Sequence, residues 1–390
     1  MRLPRVHLSA SHSRELVLPR FDGGLSPLVR LLLHMSLRTA LTDMLGIDVP
    51  VVQGGMQYIG YAEMASAVSN AGGLGILTAL TQSSPEELRA EIARCRTMTT
   101  RPFGVNLTIL PALIPADYDA YMRVICEERV ALVEISGYSP AKYMASLHAA
   151  GVKVLHKSAT LKHALKAERA GVDLIEIAGF ESSIAGRAAN DDIGTWVLLA
   201  KALGVLKTPV IVSGASATGR QLAAALAMGA VGMTMGTRFL ATTECPIQHS
   251  IKVHLASPAV DEFATTLVLG SLSNSTRVLK NDVTQKILEI ERAGAAGSGV
   301  DFEQLRPYAS GARTKRMWQE SVRASLSAFA RVPCPAALVS SPRSGSNSLV
   351  LTLFLLSRSR SPTRTHAHAR AHAGRLERRN VELRAERRSD

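Results

Sequence analysis

Features that mark several other classes of protein are scarce in this sequence of 390 residues. Aromatic residues make up 4% and apolar residues 46%, a balance typical of alternating α/β architecture rather than an all-β sandwich. No apolar run approaches the ~20 residues of a membrane helix, so we expect no membrane association. The cysteines form no Cys-x-x-Cys pair and no zinc-like spacing with His, which indicates reduced thiols in a reducing compartment and no metal site. They are Cys95, Cys126, Cys245 and Cys334.

Acidic residues are too few to balance the basic ones, and the net charge is +13. The excess lies at the two ends of the chain: residues 1–34 carry five Arg against two acids, and residues 331–390 carry twelve Arg against four acids. Residues 35–330 are therefore nearly neutral. Because a nucleic-acid-binding domain needs a basic surface, we expect no nucleic-acid partner.

The two ends also lack the regular pattern of the centre. Residues 1–34 are rich in Arg and have no clear period, which predicts an unstructured extension or a mitochondrial transit peptide. Residues 331–390 contain Ser-, Pro- and Arg-rich runs that cannot bury a core, so we expect a disordered basic tail of low complexity. We predict a cytoplasmic protein, or a mitochondrial one if the first segment is a transit peptide.

Eight short apolar runs recur at fairly even spacing from residue 49 onward. Near-continuous apolar runs of this length are typical of parallel strands that are buried on both faces. The runs are 49–52, 74–78, 103–108, 132–136, 153–157, 174–178, 210–213 and 231–235.

Helical patterns separate these runs, and several end at a glycine that can take a left-handed conformation. The patterns are 62–71, 85–96, 116–128, 140–150, 160–170, 195–203 and 219–228. The α/β order predicts a (β/α)8 TIM barrel over residues 35–240, with a doubly wound sheet as the alternative. Residues 241–330 carry helical patterns at 246–257, 284–295 and 314–330 and one apolar segment at 264–272, which predict a helical subdomain over the barrel mouth.

Functional residues of such a barrel lie on the loops that follow the strands. Two adjacent glycines follow the first run and let a flat ring approach the backbone, because no Cβ intervenes. The third run carries a side-chain amide, and the fifth ends in a His-Lys pair, in which the lysine needs a partner if it is buried. The candidates from these runs are Gly54, Gly55, Met56, Asn106, His156 and Lys157.

Small residues follow the last two runs, Ser213-Gly214-Ala215 and Met235-Gly236-Thr237. Small residues leave backbone N–H groups accessible, and the usual phosphate site of a TIM barrel lies between these two loops. We predict that a phosphate is bound there by the amides of Gly214, Ala215, Gly236 and Thr237 and by the Thr237 hydroxyl.

Seven ordered segments resemble the nitronate monooxygenases, formerly called 2-nitropropane dioxygenases. They are VPVVQGGM (49–56), NAGGLGIL (70–77), FGVNLTIL (103–110), VLHKSAT (154–160), IVSGA (211–215), MGTRFLAT (235–242) and RVLKND (277–282). The resemblance implies a flavin mononucleotide (FMN) barrel that oxidises alkyl nitronates with O2. It implies that the flavin contacts Gly55, Met56, Asn106, Lys157, Gly179, Ser213, Gly214, Gly236 and Thr237, and we add their neighbours Gly54, Ala215 and Met235.

The active-site His of that family is missing from this sequence. The family carries it shortly after the sixth strand, whereas residues 179–192 here contain no His and keep Glu181 and Arg187. We take Glu181, Arg187 and His156 as the catalytic candidates, and we expect the activity to be impaired without the imidazole base. Two alternatives stay open: a flavin enoyl-acyl-carrier-protein reductase, which NADH would reduce, and an inactive flavin-binding barrel. A homodimer is also left open.

Overall fold

The strands of the molecule form where β-branched and other apolar residues are concentrated. The computed structural model describes residues 37–110, 116–182, 192–257, 260–261, 263–295, 299–300 and 302–309. The tails predicted at 1–34 and 331–390 lie outside these residues. The strands of the described part are β1 (Val51–Gln53), β2 (Gly75–Thr78), β3 (Phe103–Ile109), β4 (Leu132–Gly137), β5 (Lys153–Ser158), β6 (Leu174–Ala178), β7 (Val210–Ser213), β8 (Gly232–Met235), β9 (Thr265–Val268) and β10 (Thr276–Leu279).

The first eight strands are parallel and form one ring. Their order is β1-β8-β7-β6-β5-β4-β3-β2, and a single parallel bridge between Val52 and Leu74 joins β1 to β2. At this bridge the Leu74 amide donates to Val51 O and the Gln53 amide donates to Leu74 O, both at 2.9 Å. The predicted (β/α)8 barrel is therefore confirmed, and the doubly wound sheet is wrong.

Helices return the chain from one strand to the next around the ring. Several begin at side-chain caps, such as Ser84, whose hydroxyl accepts from the Glu87 amide at 3.2 Å with Pro85 in the first turn. No described helix has the length and apolar character needed to cross a membrane. The helices are α1 (Ala40–Leu45), α2 (Ala62–Asn70), α3 (Pro85–Met98), α4 (Tyr118–Glu127), α5 (Met144–Ala149), α6 (Leu161–Arg169), α7 (Thr195–Leu203), α8 (Gly219–Met228), α9 (Thr237–Leu240), α10 (His249–Ala256), α11 (Asp282–Ala295) and α12 (Phe302–Ala309).

The lower part of the barrel interior, towards the N-terminal ends of the strands, is apolar. Leu41 and Leu45 of α1 pack there, and Gly232 leaves the space, since a Cβ on Gly232 would lie 2.4 Å from Leu41 Cδ2. Because this end is filled, a ligand site has to lie at the other end. The strand residues of this layer are Val52, Leu74, Ile76, Leu132, Leu155, Leu174 and Ile211.

The segment after β8 has helices at two of its predicted helical patterns, α10 and α11, and an antiparallel pair of strands that was not predicted. The third pattern, 314–330, lies outside the described residues. Strands β9 and β10 pair antiparallel, with Thr265 opposite Leu279. The β-branched residues of TTLV and TRVL favour strands, and the pair packs against α11 and α12. The guanidinium of Arg277 donates from Nε to Phe180 O at 3.0 Å and stacks over the Phe180 ring. This contact joins the hairpin to the loop that follows β6.

Candidate active site

Polar side chains replace apolar ones in the next layer of the barrel interior, towards the C-terminal ends of the strands. Alternation along each strand carries every second residue inward, so the residues two positions after the apolar layer share one level. The paired positions Lys157–Glu176 and Ser213–Thr234 lie in this level. Its polar members are Asn106, Glu134, Lys157, Glu176, Ser213 and Thr234.

Glu134 connects three parts of the barrel wall through its buried carboxylate. Its Oε2 accepts from the Gly55 amide at 2.9 Å and from Asn106 Nδ2 at 3.4 Å, and its Oε1 lies 3.2 Å from Lys157 Nζ. Burial raises the pKa of Glu134, and the neighbouring Lys157 ammonium opposes part of that rise. The carboxylate thereby fixes the loop after β1 relative to β3 and β5.

Lys157 lies between two carboxylates. Its Nζ is 2.9 Å from Glu176 Oε1, while Glu176 Oε2 accepts from the Thr234 hydroxyl at 2.8 Å. The lysine side chain is 12% exposed and both carboxylates are fully buried. Burial acts to lower the pKa of Lys157, but Glu176 and Glu134 outweigh it and raise the pKa above its usual value. Lys157 is therefore a fully charged ammonium with more than one carboxylate to balance it.

A solvent-open cavity lies above this polar layer. Backbone and small side chains of the loops after β1, β7 and β8 form most of its wall. The lining residues predicted from the sequence are Gly54, Gly55, Met56, Lys157, Glu181, Ser213, Gly214, Ala215, Gly236 and Thr237.

The loops after β7 and β8 present backbone amides. Gly214 and Ala215 both have positive φ, 87° and 47°. Their carbonyls are bound inside the loop by the Ser216 hydroxyl and the Gln221 amide group. Within the described part of the chain, the amides of Gly214, Ala215 and Gly236 donate no hydrogen bond. Successive amides of this kind fit an anionic oxygen-rich group such as a phosphate.

Glycine is required at two of these positions. A Cβ on Gly214 would lie 2.8 Å from Thr195 Oγ1, and its positive φ adds strain for any other residue. A Cβ on Gly55 would lie 2.4 Å from Cβ of Asn106. At Gly236, by contrast, the nearest atom to a Cβ is Met56 Sδ at 3.8 Å, so the space in front of it is open. Asn106 thus packs against the glycine wall rather than lining the cavity itself.

Glu181 lies at the cavity rim and caps a helix. Its Oε2 accepts from the amide and the hydroxyl of Thr195, at 2.9 and 3.0 Å, at the first turn of α7. The Thr195 hydroxyl also accepts from the Gly179 amide at 2.8 Å, and a Cβ on Gly179 would lie 2.0 Å from Thr195 N. Gly179 therefore allows α7 to approach β6, and Glu181 holds the two together.

His156 does not join the cavity. It follows Leu155 and precedes Lys157 on β5, and the alternation of the strand turns its ring to the outer face of the barrel wall. There Nδ1 lies 2.9 Å from Ser158 Oγ, and burial lowers the pKa of the imidazole to about 4. The prediction of His156 as a catalytic group is corrected on this ground: the strand period places it on the side opposite Lys157.

One further predicted residue, Met235, does not line the cavity. Met235 ends β8 and accepts from the Gly54 amide through its carbonyl at 3.0 Å, which holds the glycine loop in place. Arg187 lies outside the described residues.

Sequence reasoning missed several polar residues of the site. Glu134 and Glu176 stand in the middle of otherwise apolar strands, LVEISG and LIEIA, and a charge at such a position is the signal that could have found them. The remaining additions to the cavity wall or the layer beneath it are Gln57, Ser182, Ser216, Ala217, Thr234, Arg238 and Leu240.

The chain is similar to known oxidoreductases in sequence and structure. The sequence model of the nitronate monooxygenase family matches residues 38–136 and 114–327. The chain is 29% identical over 290 residues to a nitronate monooxygenase of Paraburkholderia phytofirmans, covering 63% of this chain and 79% of that protein. It is 34% identical over 252 residues to the (3aS,4S,5R,7aS)-5-hydroxy-7a-methyl-1-oxo-octahydro-1H-indene-4-carboxyl-CoA dehydrogenase of Rhodococcus jostii, covering 65% and 68%.

The chain is also similar in structure to two solved proteins with the same fold. FabK from Thermotoga maritima is 32% identical with a TM-score of 0.59, covering 69% of this chain and 87% of that chain. The nitroalkane oxidase of Streptomyces ansochromogenes is 28% identical with a TM-score of 0.60, covering 72% and 88%. Since the family match spans most of the barrel and the hairpin subdomain, the chain belongs to the nitronate monooxygenase family of oxidoreductases.

Proposed function

We propose that the protein is an FMN-dependent oxidoreductase that oxidises alkyl nitronates with O2. The cofactor is inferred from the loops after β7 and β8, where Gly214, Ala215 and Gly236 line the open cavity and their amides have no acceptor among the described residues. In this proposal those amides bind the FMN phosphate. The Gly54–Gly55 backbone and Lys157 lie against the flavin ring.

The fit of a flavin rests on shape as well as on donors. Gly54 and Gly55 present a flat wall, because a side chain at either position would meet Thr234 or Asn106 at 3.0 or 2.4 Å. Lys157 Nζ lies 3.7 Å from the Cβ position of Gly54, so an ammonium stands directly behind that wall. A bound flavin would supply the acceptor that takes two electrons from the nitronate and passes them to O2.

The choice of a nitronate rests on the lack of a base in the described part of the cavity. The ionisable side chains that line it there are Lys157, Glu181 and Arg238. Lys157 is held charged between carboxylates, and the Glu181 carboxylate is bonded to Thr195. A nitronate has already lost the proton that a neutral nitroalkane would have to give up, so it is the substrate that needs no base.

The experiment compares O2 consumption with a preformed alkyl nitronate and with the parent nitroalkane. A placed general base is worth about 10²–10⁴-fold, so we expect turnover of the nitronate and at least a 100-fold slower reaction of the nitroalkane. Comparable rates with both substrates would contradict the proposal, because they would require a base that the described part of the cavity lacks.

A second candidate follows from the relatives at 34% identity, which are named as dehydrogenases of an acyl-CoA thioester. In that case the electron donor is the thioester and O2 is not needed. Anaerobic mixing of the flavin-loaded protein with a bicyclic carboxyl-CoA thioester separates the two: bleaching of the flavin favours the dehydrogenase, whereas bleaching by a nitronate alone favours the oxidase.

A further inference from the structure

The polar layer beneath the cavity carries more negative than positive charge. Glu134 and Glu176 are fully buried, and Lys157 between them is the single cation in contact with either carboxylate among the described residues. With all three ionised, the cluster has a net charge of −1.

Hydrogen bonding supports the ionised form of both carboxylates. Every described group that reaches Glu134 is a donor: the Gly55 amide, Asn106 Nδ2 and Lys157 Nζ. Glu176 receives the Thr234 hydroxyl at 2.8 Å and the Lys157 ammonium at 2.9 Å. A protonated Glu134 would have to donate, and its contacts offer no acceptor. At Glu176 the Thr234 hydroxyl could accept, but the Lys157 ammonium 2.9 Å away favours the ionised carboxylate.

The other charged side chains of the cavity wall lie in the loops rather than in this layer. Glu181 is bonded to the first turn of α7, and Arg238 lies on α9 after β8. The cluster, in contrast, touches the glycine wall directly: Glu134 Oε2 is 2.9 Å from the Gly55 amide. Its excess charge therefore acts on whatever ring lies against Gly54 and Gly55.

We propose that Glu134 and Glu176 over-neutralise Lys157 and so lower the reduction potential of a flavin bound in this cavity, an inference that rests on the proposed function. Two-electron reduction adds two electrons and one proton to a flavin and leaves it one charge more negative. A fixed negative charge a few ångströms away in a low-dielectric interior opposes that change. The two glutamates thus act through their charge, and they favour transfer of electrons onward to O2.

The test is the midpoint potential of the bound flavin, measured by dithionite titration with a reference dye, in the wild type, Glu134→Gln and Glu176→Gln. Each amide keeps the shape of the side chain and removes one negative charge. We expect both variants to favour the reduced flavin at least tenfold more than the wild type does. For a two-electron couple this corresponds to a rise of about 30 mV in the midpoint potential. Glu176→Gln is the more secure variant, because Glu176 does not contact the Gly54–Gly55 loop.

Glu91→Gln is the matched control. Glu91 is also buried, accepts from the Ala62 amide at 2.7 Å and pairs with Arg94, but it does not line the cavity. We expect its potential to equal that of the wild type. An unchanged or lowered potential in both cluster variants, with flavin still bound, would overturn the inference and leave the proposed function standing. Failure of the wild type to bind flavin would overturn both.

Discussion

Polar residues on the inner and outer faces of the barrel wall have opposite surroundings, and strand β5 has one such residue on each face. On the inner face Lys157 is charged and is held by two buried carboxylates. On the outer face His156 is buried against Ser158, and its pKa is lowered to about 4. A residue at a strand end therefore becomes part of the site only if the alternation of the strand turns its side chain inward.

The largest expected effect is on the inner face, at Lys157→Met. The change leaves Glu134 and Glu176 buried without their cation, which costs about 3–5 kcal/mol of the free energy of unfolding. Urea denaturation at matched flavin occupancy measures it.

The matched control for that change is Lys153→Met, at a position earlier on the same strand whose side chain points to the same face. Lys153 pairs with Asp173 at 3.1 Å and its side chain is 41% exposed, so its loss should cost at most about 1 kcal/mol. Equal costs for the two variants would mean that the charged cluster contributes nothing particular to the barrel.

The outer face is tested by the pH dependence of stability in His156→Gln. Because the folded-state pKa is lowered from 6.5 to about 4, the unfolded chain binds the proton first as the pH falls. The stabilisation is complete above pH 6.5 and is lost between there and about pH 4, by up to about 3 kcal/mol at 1.36 kcal/mol per unit. The measurement is the difference in the free energy of unfolding between wild type and variant at each pH. This difference removes the contribution of the carboxylates, which titrate in the same range in both proteins. A constant difference would show that His156 titrates normally.

The smallest effect is expected at the rim, where the two faces meet, with Glu181→Gln. The variant weakens a charge-assisted contact to the first turn of α7, a loss of about 1 kcal/mol. Glu289→Gln removes an exposed pair with Lys286 and serves as the control, with no measurable cost. Loss of all activity in Glu181→Gln with unchanged stability would instead give Glu181 a catalytic role.

The sequence was sufficient for the barrel, because each strand is a short apolar run between helices of clear period. It also indicated the loops after β1, β7 and β8, because glycines follow each of those three runs. The antiparallel pair β9–β10 was missed because its four-residue strands, TTLV and TRVL, are too short for their alternation to stand out.

The charged layer was missed for a different reason. Glu134 and Glu176 lie 42 residues apart in sequence and meet only through Lys157, so their partnership depends on the register between β4, β5 and β6. The face taken by His156 depends instead on the alternation along β5. The residue types at a strand end do not by themselves show which side chains point into the barrel. Counting every second residue from the apolar layer does show it.

The central claim, a flavin held with its phosphate between the loops after β7 and β8, is tested most directly by the FMN content of purified Gly236→Asp and Gly236→Asn. Position 236 has φ −114° and open space in front of it, so both variants should fold. The aspartate places a carboxylate against the phosphate and the asparagine places a neutral group of the same shape there. We predict flavin absorbance in the wild type, its loss in the Asp variant and substantial retention in the Asn variant. Equal flavin content in the wild type and the Asp variant would contradict the account.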